Sequence, residues 1–378
     1  MVNGFARRLS APPSCISDSR INLTADFTIG YLLPSAQAIP PEVIVIRKPL
    51  VLALCVVVCS SFSAPGRAGE VSGLRKIRAA ITSISGSMVP PWAAHESGIF
   101  KKYGLQVEVI ATPSGVQGTN ALIAGEVAFV QIAGGTTTGA AVGGADLKIV
   151  ATMVGTLVLN LVVRPEIEKA EQLRGKSIGI SRYGTSLHTG ARLAAKHFGL
   201  EPGKDVHIVE IGAGDWIVGA LQGNRVQGGV FGYPATSRAV KFGNRVLLHL
   251  PSLNIPYAST GVSTRSEIIR DDPDLVRRYL SAQIEAIALM KKDRAFTMKV
   301  LSKYLRTNDM DLLAESYDIQ IAKYMMKAPM PTADAVRSVL EELSERNPKA
   351  KDLDPNKFFD DRFVRQLQAG DFIDSLYR

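Results

Sequence analysis

No cysteine follows Cys59, so a chain that loses its N-terminal segment carries no thiol, no disulfide and no cysteine metal ligand. Mechanisms that need a thiolate nucleophile are excluded for everything beyond that point. The distribution suits an oxidising compartment, where a lone thiol is a liability. Histidine is scarce as well: His95, His188, His197, His207 and His249 are the five, and none stands at a metal-ligand spacing. Neither a phosphate-cradling P-loop nor a G-x-S-x-G nucleophile elbow occurs. No metal or cofactor is therefore expected. The longest apolar run, Leu50 to Cys59, falls well short of the roughly 20 residues a membrane span needs.

What is present fits a globular chain. Apolar residues make up 46% and charged residues 21% of 378 positions, which is enough sequence for two domains. Basic side chains outnumber acidic ones by 44 to 35. They are interspersed with acids, as in Lys291-Lys292-Asp293-Arg294, and form no basic block with interleaved aromatics. A solvated surface is expected, not a nucleic-acid interface.

The N-terminus has two parts. Residues 1–46 are rich in Ser and Pro and unpatterned, with no methionine between Met1 and Met88. They are expected to lie upstream of the true start, with Val43 or Val45 as a GTG codon. Arg47-Lys48, the apolar run and the small residues Ser60-Ser61-Phe62-Ser63-Ala64 together form a signal peptide over 47–68. Val58 precedes Cys59 where a small residue is wanted, so lipid anchoring is not expected and the mature chain is placed in the periplasm.

From Arg75 onward strand-like and helix-like segments alternate. Ile77–Ile81, Leu105–Ile110, Val127–Ile132 and Leu147–Met153 read as strands, separated by runs compatible with helices. The alternation restarts after Leu157–Val163 with strands at Lys176–Ser181, Val206–Ile211, Val226–Phe231 and Val246–Leu248. This is the pattern of an α/β chain with mainly parallel strands. Two such series linked by strand-like crossings near 157–164 and 258–264 suggest two lobes on a hinge. After the cap Asp271-Asp272-Pro273-Asp274, helices are expected over 275–290, 294–305, 309–326 and 332–346.

Four stretches carry a family resemblance. They are Pro91-Trp92-Ala93-Ala94-His95-Glu96-Ser97-Gly98-Ile99-Phe100-Lys101-Lys102-Tyr103-Gly104-Leu105, which reads as a helix from Pro91 to Phe100 and its stop, Ala121-Leu122-Ile123-Ala124-Gly125-Glu126-Val127-Ala128-Phe129, Leu173-Arg174-Gly175-Lys176-Ser177-Ile178-Gly179-Ile180 and Val276-Arg277-Arg278-Tyr279-Leu280. In this order and spacing the chain resembles the periplasmic substrate-binding proteins of nitrate/sulfonate/taurine-type ABC importers, which share a fold with thiamine-pyrimidine synthases. The resemblance implies a type II periplasmic binding protein: two doubly wound lobes joined by a two-strand hinge, with C-terminal helices packed on lobe 1. Lobe 1 would comprise 75–160 and 260–378, and lobe 2 residues 161–259. A monomer that delivers a small-molecule ligand to a membrane permease is implied. A thiamine-pyrimidine-precursor binder or synthase-like enzyme is the alternative, although the synthases' cysteine-rich motif has no counterpart after Cys59.

Ligands of doubly wound sheets bind beyond the carboxyl ends of the strands. The loops there are Ser85-Gly86-Ser87, Ser114-Gly115-Val116-Gln117, Gly134-Gly135-Thr136-Thr137, Arg182-Tyr183-Gly184-Thr185-Ser186, Gly212-Ala213-Gly214-Asp215-Trp216 and Gly232-Tyr233-Pro234. Glycine admits close backbone approach, and helix-start N–H groups with Ser or Thr hydroxyls favour a polar or anionic ligand. The candidate ligand residues are Ser85, Gly86, Ser87, Trp92, Ser114, Gly115, Gln117, Gly135, Thr136, Thr137, Arg182, Tyr183, Gly184, Thr185, Ser186, Asp215, Trp216 and Tyr233. Arg182 reads equally as a bidentate carboxylate or sulfonate clamp and as a surface arginine. Trp92, Tyr183, Trp216 and Tyr233 are candidate flat walls or hinge filling, and Asp215 an acceptor or a helix cap. His188, near a loop mouth, is a further candidate contact. No catalytic residue is expected. N-terminal sequencing of the secreted protein should find a cut after Ala64 or Ala68, and a mature chain retaining residues 1–45 would overturn the leader assignment.

Overall fold

A computed structural model describes residues 73–378 apart from Ala213. The expected leader and all three cysteines lie outside the described residues, among which no helix is long and apolar enough to cross a membrane.

The first βα series runs β1 (Arg75–Ile81), α1 (Pro90–Glu96), α2 (Ile99–Lys102), β2 (Leu105–Ala111), α3 (Gly115–Ile123), β3 (Phe129–Ile132), α4 (Gly134–Val142) and β4 (Leu147–Val154). The helix-compatible run from Pro91 to Phe100 is divided between α1 and α2 by Gly98, whose φ of 74° lies in the left-handed region. The second series runs β5 (Asn160–Val163), β6 (Ser177–Ile180), α5 (Ser186–His197), β7 (His207–Glu210), α6 (Asp215–Gln222), β8 (Gly228–Phe231), α7 (Ala235–Lys241) and β9 (Arg245–His249). The chain then returns through β10 (Thr260–Arg265) to α8 (Ser266–Asp271), α9 (Pro273–Lys292), α10 (Arg294–Leu305) and α11 (Met310–Ser316). A π-helical turn, Tyr317–Lys323, follows α11, and α12 (Ala333–Ser344), α13 (Arg362–Ala369) and α14 (Phe372–Ser375) complete the chain.

The strands form two five-stranded sheets of matching order, β2-β1-β3-β10-β4 and β7-β6-β8-β5-β9. In each, the fourth strand is antiparallel to both neighbours and is the strand that follows a crossing between the sheets. The crossing segments lie side by side: Tyr257 N–H donates to Gly155 O at 2.9 Å and Ser259 N–H to Val154 O at 3.1 Å. The two connections between the sheets are thus bonded to each other.

The first lobe's core is organised by α9. Asp272 caps it by accepting from Leu275 N–H, Pro273 occupies its first turn, and Lys291 and Lys292 sit in its last. Its Tyr279 stacks on Phe129 at 4.0 Å and on Phe100 at 5.6 Å between ring centroids, burying three aromatic rings against β3 and α2. α12 sits differently. Its buried face of Ala335, Val336, Val339 and Leu340 shares one apolar cluster with Ile149 of β4 and with Leu161, Ile178 and Ala191 of the second lobe. The C-terminal helices therefore cover lobe 1 and also reach lobe 2, where Glu345 pairs with Arg192 and Lys196 of α5.

Gly261 lies at a register shift in β10, where a Cβ would overlap the carbonyl oxygen of Ala151 on β4. Backbone cannot swing aside as a flexible side chain can. Gly261→Ala should therefore destabilise the protein by roughly 2 kcal/mol or more, read as a fall in denaturation midpoint, whereas Gly73→Ala, with no atom of the described residues within 4 Å of the added methyl, should not.

Candidate functional site

A cavity of about 930 Å³ opens between the carboxyl ends of the two sheets. Six loop ends converge on it. The β1 loop brings Thr82, Ser83, Ser85 and Ser87, the β2 loop Thr112, Ser114 and Gly115, and the start of α4 Thr136. From the second lobe come Ser181, Arg182, Thr185 and Ser186 after β6, Asp215 and Trp216 after β7, and Gly232 to Ala235 after β8. Met88, Ile132, Val154, Val158, Leu159, Val230 and Phe231 supply an apolar lining.

The hydroxyls are positioned by one another. Ser85 and Ser87 Oγ are 3.1 Å apart, and Thr260 donates to Ser87 Oγ at 3.3 Å. Ser87 is held from behind, its carbonyl accepting from buried Gln131 Nε2 at 3.0 Å. Across the cleft Ser181 and Thr185 hydroxyls are 3.0 Å apart, and Thr185 Oγ1 donates to Arg182 O at 2.7 Å. Such chains fix hydroxyl positions while leaving lone pairs for a guest. Gly115 sits where a Cβ would come within 3.1 Å of Thr136 Oγ1, so glycine there lets the β2 and β3 loops meet.

Of the expected residues, Ser85, Ser87, Ser114, Gly115, Thr136, Arg182, Thr185, Ser186, Asp215, Trp216 and Tyr233 line the cavity. The others lie elsewhere, each for a visible reason. Trp92 is buried in the lobe 1 core, stacked on Tyr304 at 4.1 Å. Thr137 is buried with its hydroxyl 2.8 Å from Ser263 Oγ, and Gly135 faces the Tyr257 hydroxyl behind the cavity. Gly86 packs under the Gln320 side chain. Gln117 is exposed in the first turn of α3, where its N–H donates to the Ser114 cap at 3.3 Å. Tyr183 is 54% exposed and turned outward, donating to Ile208 O at 2.7 Å, while Gly184 makes the left-handed turn beside it at φ 78°.

Sequence reasoning passed over Arg238, Arg306 and Gln320, which also line the cavity. Arg238 comes from α7 and stands 3.0 Å from the Asp215 carboxylate. Arg306 ends α10 in a left-handed conformation, φ 53°. Among the described lining residues three are therefore arginines and one is acidic, and that acid already faces a guanidinium. The cavity carries net positive charge.

His188 stands apart from the lining. It is 4% exposed, its Nδ1 accepts the Gly184 N–H at 3.2 Å, and Tyr183 packs edge-on at 5.2 Å. Burial, with Arg346 and Arg192 nearby, lowers its pKa to about 4, so the ring is neutral and fixes the Arg182–Thr185 turn.

The NMT1/THI5-like family model matches residues 87–294. Among solved structures, the chain is similar to the periplasmic aliphatic sulphonate-binding protein of Escherichia coli, with 20% identity, 77% of this chain and 99% of that one covered, and a TM-score of 0.63. The periplasmic nitrate-binding protein of Synechocystis PCC 6803 is 15% identical over 81% of this chain and 91% of its own, with a TM-score of 0.64. The alkanesulfonate-binding protein of Xanthomonas axonopodis pv. citri, bound to MOPS, is 15% identical over 75% and 96%, with a TM-score of 0.62. No curated protein matches the sequence.

His188 has an acid consequence. Its folded pKa lies below the unfolded value of about 6.5, so protonation favours the unfolded chain. Its share of stability is complete above that value and is lost as pH falls through 6.5 toward 4. His188→Gln keeps an acceptor for Gly184 and cannot be protonated. The variant's melting temperature should fall less than the wild type's between pH 7 and 4; parallel curves would refute the assignment.

Proposed function

The chain belongs to the NMT1/THI5-like family, and from that premise we propose that it is the exported binding component of an ABC importer, carrying a small organic anion in the cleft. The observation that carries this reading is the lining's charge: Arg182, Arg238 and Arg306 against Asp215 alone, which is already paired. A carboxylate or sulfonate entering such a site gains charge-assisted, bidentate hydrogen bonds while the Ser and Thr hydroxyls add neutral donors. The apolar lining and Trp216 favour a ligand with a hydrocarbon or aromatic body over a bare inorganic anion.

The lobes, 75–160 with 260–378 and 161–259, would close about the paired crossings on the bound ligand. Delivery to a membrane permease by a monomer follows from the same reading, and no catalytic role is assigned to any lining residue. A second reading is favoured by Trp216, Phe231 and Tyr233, which give the second lobe's side of the cavity aromatic character: a neutral heteroaromatic such as a thiamine-pyrimidine precursor.

Thermal-shift titration separates the two. Benzoate, benzenesulfonate and hexanesulfonate should raise the melting temperature of the mature chain by mass action, and Arg182→Ala and Arg306→Ala should each weaken that binding about tenfold or more. Stabilisation by cytosine alone, with every anion silent, would sink the anion reading. Trp216 offers a second readout because it lines the cavity at 74% exposure while Trp92 is buried. Saturating ligand should shift the tryptophan emission of the wild type, and Trp216→Phe should abolish the shift.

A further inference from the structure

We propose that Gln320 is the selectivity residue of this cleft: its amide pairs with a second polar group on the ligand, so the preferred guest is an organic anion bearing a hydroxyl, amine or amide as well. The inference rests on the cleft being a ligand site, and it adds a residue that lies outside the family match at 87–294.

Gln320 belongs to the π-helical turn Tyr317–Lys323, whose Tyr317 and Ile321 are buried in the lobe 1 core. Such wide turns displace one side chain from the helical row and recur at functional sites. Within this turn Gln320 lines the cavity at only 4% exposure. Among the described residues its Oε1 is buried without a hydrogen-bond partner. A buried acceptor left unpaired costs stability.

The surroundings hold the amide in place without satisfying it. On one side lies Gly86, where an added Cβ would overlap Oε1 and come within 3.3 Å of Cδ. Glycine is what leaves room for the amide beneath the Ser85–Ser87 loop. On the other side lies Gly232 of the second lobe, whose Cβ position is 3.8 Å from Nε2. The amide thus stands between the two lobes' loops, with its acceptor unpaired among the described residues.

Other unpartnered buried groups do not share this placement. Among the described residues, those of Thr119, Thr138, Thr152 and Gln283 belong to side chains that do not line the cavity. Arg238 Nε does line it, but faces Asp215 at 3.0 Å. A site built to hydrogen-bond a substrate group rejects analogues that lack it, because its own polar atoms are then left unpaired.

The test uses the mature chain, Gln320→Met, and titration calorimetry with matched probes: benzenesulfonate against 4-hydroxybenzenesulfonate, benzoate against 4-aminobenzoate, and pyrimidine against cytosine. The wild type should bind the substituted member of at least one pair about tenfold more tightly, and Gln320→Met should bring both members of that pair within about twofold of each other. An equal preference in wild type and variant, or no preference in any pair, overturns the proposal. Preference in the pyrimidine pair alone supports Gln320 while removing the anion reading. A ligand-free measurement tests folding separately. Replacing an orphaned amide by an isosteric apolar chain should leave the melting temperature unchanged or raise it by about 2 °C; a fall of that size or more would make the amide a structural bond and overturn the proposal.

Discussion

The structure depends on how its two crossings are absorbed. β5 and β10 each enter a sheet antiparallel as fourth strand, immediately after a crossing. That placement leaves β1, β2 and β3 parallel to one another, and β6, β7 and β8 likewise, so their carboxyl ends stay together in each lobe. The paired segments around Gly155 and Tyr257 then bring both sets of loops to one cavity. Hinge, sheet order and site are consequences of one another. The bulge at Gly261 belongs to the same constraint, because a side chain there would overlap the backbone of β4.

Within the cavity, neutral and charged groups have separate tasks. Ser and Thr hydroxyls hold one another at hydrogen-bond distance before any guest arrives, so less ordering remains to be done on binding. Arginines provide the charge, and their sources differ: a loop for Arg182, a helix for Arg238 and the end of α10 for Arg306. Asp215 partly neutralises the set through Arg238, which leaves Arg182 and Arg306, one from each lobe, as the lining arginines it does not pair.

The alternation of strands and helices, the two strand-like crossings and the six loops were legible in the sequence because each is a local pattern, whereas the antiparallel pairing of β5 and β10 was not. The period of two in Leu105–Ala111 and the caps around Pro273 are written in adjacent residues. What was not legible depends on contacts across distant sequence. Trp92 looks like a cleft wall by its nearness to the Ser85–Ser87 loop, and only Tyr304, far along the chain, draws it into the core. Arg306 and Gln320 sit in helices whose spacing reads as ordinary core packing. No local signal marks the π turn that redirects Gln320, nor the glycine far upstream that makes space for it. The pairing of Arg238 with Asp215 joins α7 to α6 and is likewise a tertiary fact.

The apolar face of α12 has a consequence for how the molecule comes apart. Because Val336, Val339 and Leu340 share one cluster with residues of both sheets, neither lobe owns a complete core on that side. Unfolding one lobe would strip α12 of part of its apolar cluster, and the Arg192 and Lys196 pairs with Glu345 would go with it. Two lobes built on separate sheets are thereby made into one cooperative unit. Heat or denaturant should meet a single transition, and a guest held in the cleft lends its binding energy to the whole described chain instead of to the lobe it touches.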